Sequence, residues 1–63
     1  MRIDAVRFTI AMGNAAINIE DLSKLSGVSR NTIYRIRNEK LTPRTSTIGK
    51  LAKALNVKVE DLI

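Results

Sequence analysis

Neither cysteine nor histidine occurs in this chain. Without cysteine there are no disulfides and no thiolate metal sites, which fits a reducing compartment. Without histidine, carboxylates are the only metal ligands on offer and the usual general base is missing. The acids that remain are scattered. Glu20-Asp21 and Glu60-Asp61 are neighbours in sequence, and neighbours on a helix point in different directions. The serines have no histidine to activate them and no glycine-rich phosphate loop is present, so no enzyme activity, cofactor, metal or small-molecule ligand is expected. No apolar run approaches the ~20 residues of a membrane span. The N-terminus lacks a basic stretch followed by an apolar core, so no signal peptide is expected and the chain reads as soluble and cytoplasmic.

What is present is small and basic. Sixty-three residues are read as one domain, 1–63, at 44% hydrophobic and 27% charged. A chain of this size buries only about 60% of its unfolded surface, so its core has to be local in sequence. The net charge is +5, and +4 of it lies in residues 29–44, where Arg30, Arg35, Arg37, Lys40 and Arg44 face Glu39 alone. Positive charge concentrated on one side is the footprint of a polyanion binder; a solubilising face is the plainer alternative.

Apolar spacing predicts five helices and no strand. The first runs from Ile3 or Asp4 to Met12, with Ile3, Val6 and Ile10 on one side and Gly13-Asn14 as its stop. Asn18 caps the second, with Asp21 three residues on, Leu22 and Leu25 inward, and Ile17 bracing its start. Gly27 ends it, Val28 plugs the gap, and Ser29 caps a third helix reaching about Asn38. Thr42-Pro43 separates this from a fourth helix capped by Thr45 or Ser46, with Ile48, Leu51, Ala52 and Leu55 as its apolar stripe and Asn56 as its close. Val57 to Ile63 forms a short fifth helix with Glu60 and Asp61 near its start.

Two helices joined by a short glycine-containing turn can place the second in the DNA major groove. Here that second helix opens with Arg30, Asn31 and Thr32. Arginine can bond guanine O6 and N7 together, and asparagine can do the same to adenine. Arg35 lies one turn beyond Asn31 on the same face. Thr32 offers a methyl to thymine or a hydroxyl to phosphate. Each also has a plainer role, as a phosphate contact, a solvated charge or a spacer. Ser29 and Asn18 can hold phosphates at helix N-termini as well as capping them. Asn38, Lys40, Thr42 and Arg44 fall along the backbone beyond the third helix, with solvation or capping as the alternative. Tyr34, the sole tyrosine, either bonds phosphate or packs beside the first helix.

The order of these residues resembles the Cro and phage-repressor family, the lambda-repressor-like fold. The resemblance covers about Asn18 to Leu62. It rests on Leu22-Ser23-Lys24-Leu25-Ser26-Gly27-Val28-Ser29, on Thr32-Ile33-Tyr34-Arg35-Ile36, and on Pro43 followed by Thr47-Ile48-Gly49-Lys50-Leu51-Ala52-Lys53-Ala54-Leu55-Asn56-Val57 and Glu60-Asp61-Leu62. It implies a compact five-helix all-α fold whose helices 2 and 3 form a helix-turn-helix. It also implies a sequence-specific regulator of transcription, most simply a repressor occupying an operator, of phage, prophage or mobile-element origin. Four positions depart from the family pattern. Ser23 stands for a packed alanine, and Ile19 for a glutamine that touches phosphate. Arg37 stands for a glutamate that pairs with an arginine of the first helix, which removes that ion pair. Glu39 stands for a helix-ending glycine, so the chain is expected to leave the helix through Asn38.

One such unit reads only a few base pairs, so a homodimer is expected, formed in solution or only on DNA, with recognition helices one turn apart at roughly 34 Å. Val57, Val59, Leu62 and Ile63 are its interface candidates. Two other readings stand beside this one: a protein-interaction module, such as an antitoxin or anti-repressor component on the same scaffold, and a non-specific DNA or RNA binder.

Overall fold

Every helical element of this chain begins in the same way. The computed structural model describes residues 1–63. It contains α1 (Ala5–Ala15), α2 (Ile19–Ser26), α3 (Arg30–Arg37), α4 (Thr45–Ala54) and a closing 3-10 turn, Val59–Asp61. The residues before the first helical position are Asp4, Asn18, Ser29, Arg44 and Lys58. Just outside each stands an apolar residue: Ile3, Ile17, Val28, Pro43 and Val57. Four residues after each cap stands another: Phe8, Leu22, Ile33, Ile48 and Leu62, all five at 0% exposure. These are the two positions of a hydrophobic staple, in which the residue before the cap folds back on the one at the end of the first turn. Ile3, Val28 and Pro43 are buried, and Ile17 and Val57 pack against the core.

The core therefore sits where five chain reversals meet. Ala11, Met12, Ile36, Leu51, Ala52 and Leu55 complete it, and no polar side chain is buried in it. α2 packs on α3 and α4, α1 packs on α3, and the 3-10 turn packs on α4. The two ends of the chain are joined by the Asp4 N–H, which donates to the Leu62 carbonyl at 2.7 Å.

Several sequence expectations need correction. There are four α-helices, not five: the last segment is a single 3-10 turn. It is closed by the Asp61 carboxylate accepting from the Lys58 N–H and the Lys58 carbonyl accepting from the Asp61 N–H, both at 3.0 Å. Ile3 lies outside α1, because Asp4 caps that helix through the Arg7 N–H at 3.0 Å. That cap sets the helix phase, so Phe8, Ala11 and Met12 face inward and Val6 and Ile10 face solvent. α1 does not stop at Gly13-Asn14. It ends where Ala16 adopts the left-handed conformation (φ 51°) and Ile17 donates back to the Met12 carbonyl at 3.1 Å. This is the paired-bond helix ending in which an apolar residue just past the turn packs onto the last turn.

α2 turns Leu25 outward, 67% exposed. Its inner side carries Leu22 with the half-buried Ile19, Ser23 and Ser26, small side chains suited to a helix packed against two others. Asn38 is the C-cap of α3, but the left-handed residue is the next one: Glu39 takes φ 58° while Asn38 stays at φ −90°. Neither Thr45 nor Ser46 caps α4; Arg44 holds the cap position and no side chain closes it. Leu62 is core, and Val57 and Val59 are half-buried against it, which leaves only Ile63 of the four interface candidates well exposed.

Candidate nucleic-acid interface

The turn between α2 and α3 sets the geometry of the site. Gly27 adopts φ 75°, a conformation open to glycine at no steric cost, and its N–H closes α2 on the Ser23 carbonyl at 2.9 Å. Ser26 Oγ then accepts from the Val28 N–H at 3.1 Å, and Val28 is driven into the core. α3 starts two residues later, anchored by the buried Ile33 and Ile36. With those inward, Arg30, Asn31, Tyr34, Arg35 and Asn38 share the outer surface of α3 and are all exposed. Residues three and four apart on a helix are neighbours, so Asn31, Tyr34, Arg35 and Asn38 make one continuous polar face.

Ser29 Oγ accepts the Thr32 N–H at 3.2 Å and donates to Thr32 Oγ1 at 2.8 Å. Its proton is thus engaged within the cap, and the free anion donors at this helix start are the first-turn backbone N–H groups. Thr32 is half-buried and stands apart from the other base candidates. It lines a cleft of about 310 Å³ with Leu41, Thr42, Pro43, Arg44 and Thr47. Thr47 lines this cleft without being a site residue expected from the sequence; its place in the first turn after Pro43 is the signal that could have found it. Thr42 and Arg44 are exposed on this cleft, and the uncapped start of α4 leaves first-turn N–H groups beside them.

Tyr34 is 53% exposed. Lys40 is exposed past the end of α3, where its N–H donates to the Arg35 carbonyl at 2.7 Å. Asn18, at the start of α2, accepts the Asp21 N–H at 2.8 Å through its side-chain oxygen, leaving its amide NH₂ to donate outward. The structure therefore brings Arg30, Asn31, Tyr34, Arg35 and Asn38 onto one helix face, and Thr32, Thr42 and Arg44 onto the adjoining cleft. Asn18 and Ser29 sit at two separate helix starts.

A glycine turn carrying a short exposed helix, with a basic polar outer face and a helix start beside it, defines a helix-turn-helix nucleic-acid binder. The sequence matches the family of Cro/C1-type HTH DNA-binding domains over residues 7–63, and the chain belongs to that family. The match takes in most of α1, beyond the Asn18 to Leu62 stretch on which the resemblance rested. An uncharacterised HTH-type transcriptional regulator of Methanocaldococcus jannaschii is 46% identical over 43 residues. Those residues are 68% of this chain and 65% of that relative, so the shared stretch spans just under two thirds of the relative's length. No solved structure matches the chain significantly. No helix is long and apolar enough to cross a membrane.

Proposed function

We propose that residues 1–63 act as one unit that reads a double-stranded DNA operator and regulates transcription in the cytoplasm, most simply by repression. The observation that carries this reading is the exposed face of α3, where Arg30, Asn31 and Arg35 stand clear of the core on a helix held by Ile33 and Ile36. Arg30, Asn31 and Arg35 contact base edges in the major groove, and Thr32 reaches the groove wall from the cleft. Asn18, Ser29, Tyr34, Asn38, Lys40, Thr42 and Arg44 contact phosphates on either side. Phosphate contacts fix the register of the helix and base contacts select the sequence. Because α3 is only 8 residues long, one copy spans few base pairs, and specificity comes from two copies on related half-sites one DNA turn apart. The relative's name as a transcriptional regulator supports the regulatory role.

The test is selection from a random duplex library at two salt concentrations. Enrichment of two related half-sites about one turn apart is the expected result, and it supplies the operator. Binding without enrichment, lost steeply with salt, would make the chain a non-specific basic binder. Absence of binding at both concentrations would transfer the scaffold to protein interaction.

A further inference from the structure

α1 carries two apolar faces. One is buried, through Phe8, Ala11 and Met12. The other points to solvent: Val6 and Ile10 are 68% and 56% exposed, and Gly13 follows one turn further along the same stripe. The Gly13 carbonyl accepts the Ala16 N–H at 3.1 Å, a bond that any residue's backbone could make, so it does not explain a glycine here. Its backbone is ordinary helix, absent from the positive-φ residues, and a Cβ added there would meet nothing within 4 Å. Glycine inside a helix weakens it relative to alanine. A bare backbone at this position matters only if something outside the protomer approaches it closely.

Beside the stripe lies a groove of about 280 Å³, lined by Arg7, Ile10, Ala11, Asn14, Val57 and Asp61. Its floor is apolar, and it presents one base and one acid. Asp61 Oδ2 is taken by the Lys58 N–H, which leaves Oδ1 for another donor. A surface with an apolar centre and one charge of each sign is complementary to its own two-fold image, since in an isologous contact each residue meets its counterpart's partner.

We infer that the Val6–Ile10–Gly13 face of α1 and the adjoining groove form the interface between two copies of this chain. The two-fold axis passes through the groove between Arg7 and Asp61, beside Ile10, so that Arg7 of each copy pairs with the partner's Asp61. This assignment rests on the reading of the chain as a homodimeric DNA binder. It is compatible with that geometry: α1 lies between the interface and α3, so the stack runs α3, α1, the second α1, the second α3. Interhelical spacings of about 8–10 Å put the two α3 axes some 24–30 Å apart when the layers stack in line, approaching the roughly 34 Å of one DNA turn. None of the groove residues belongs to the DNA-facing set, so both surfaces can be filled together.

The charge pair gives a decisive test. Arg7→Glu and Asp61→Lys are made separately and their association is followed by sedimentation equilibrium, with and without a duplex carrying two selected half-sites. Alone, each variant sets like charges against each other twice, and its dimer dissociation constant is expected to rise at least about tenfold. Mixed in equal amounts, the two form a heterodimer in which both pairs are opposite in sign, and association is expected to return to near the wild-type value. A defect internal to one protomer cannot be repaired by mixing. A third variant, Gly13→Ala, is expected to raise the melting temperature of the dilute protein while weakening association several-fold. Wild-type association by both charge variants would overturn the α1 interface and leave the dimer reading standing. Wild-type protein that stays monomeric, and binds the two half-sites independently, would overturn both.

Discussion

In the proposed reading, sequence selectivity rests on Arg30 and Asn31. Both lie in the first turn of α3, both are exposed, and neither is tied to a partner in the cap, whose bonds run between Ser29 and Thr32. Their removal leaves the core untouched, so any change is a change in recognition. Arg30→Ala and Asn31→Ala are each expected to relax discrimination by about 1–3 kcal/mol at one base pair, read as the ratio of affinities for the selected duplex and its single-base variants. Unaltered preference in both variants would remove the first turn of α3 as the reader. The same reading gives Lys40 and Arg44 the other class of contact, to phosphate. Lys40→Ala or Arg44→Ala is expected to weaken binding evenly across sequences and to flatten the slope of log affinity against log salt by about one unit, as one phosphate contact is lost. A slope unchanged in both variants assigns them to solvent. Most of this surface was legible in the sequence, because the polar residues of α3 sit on either side of an unambiguous Ile33–Ile36 anchor. Thr32 was less so. Its sequence position fits an outward first-turn residue, and only the loop that returns through Leu41 to Arg44 shows that it turns toward a cleft.

At the scale of the elements, the caps at Asn18 and Ser29 and the ends at Gly27 and Asn56 were legible, while the start of α4 and the end of α1 were not. Asn18 and Ser29 announce themselves as caps, and the apolar residues flanking them, Ile17 with Leu22 and Val28 with Ile33, repeat the staple spacing. The same spacing joins Ile3 to Phe8, yet Ile3, Val6 and Ile10 also fit a helical stripe. Periodicity alone could not choose between the two phases of α1; the Asp4 cap chooses. Leu25 misled for a related reason. Spacing of three from Leu22 suits an inward residue, but the packing of α2 against both α3 and α4 favours the small Ser23 and Ser26. Asn56 closes α4 as expected, but the ends of α1 and α3 were obscured because the glycine rule holds only after α2. Gly27 is left-handed, but so are Ala16, Glu39 and Asn56. A residue with a Cβ pays roughly 1–2 kcal/mol in that region, while glycine loses about 0.5–1 kcal/mol through the freedom of the unfolded chain. Ala16→Gly and Glu39→Gly are therefore each expected to stabilise the fold by up to about 1 kcal/mol, seen as a higher urea midpoint by circular dichroism. A lowered midpoint in both would mean that the side chains at these turns contribute more than their backbone strain costs.

A chain of this length buries only about 60% of its unfolded surface, and folded proteins keep only about 5–15 kcal/mol in hand. The molecule's five staples converge on one core, so the elements are expected to open together. The last of them is the most informative to break. Leu62 directly follows the closing 3-10 turn. Here it is fully buried, and its carbonyl accepts from the Asp4 N–H ahead of α1. If the closing turn is part of the cooperative core, Leu62→Ala is expected to remove about 2–5 kcal/mol, enough to unfold much of the protein at 37 °C. The neighbouring Ile63→Ala, at an exposed site, is expected to change stability by less than about 0.5 kcal/mol. Thermal melts of the two variants separate these outcomes. Saturating operator DNA is then expected to recover the folded signal of Leu62→Ala, because a ligand that binds only the folded state pulls the equilibrium toward it. That recovery would show that the substitution acts on folding and leaves the α3 surface intact. A melt indistinguishable from wild type would mean that the closing turn opens independently of the rest. The core would then rest on four staples, and the link between Asp4 and Leu62 would join two ends that are free to separate.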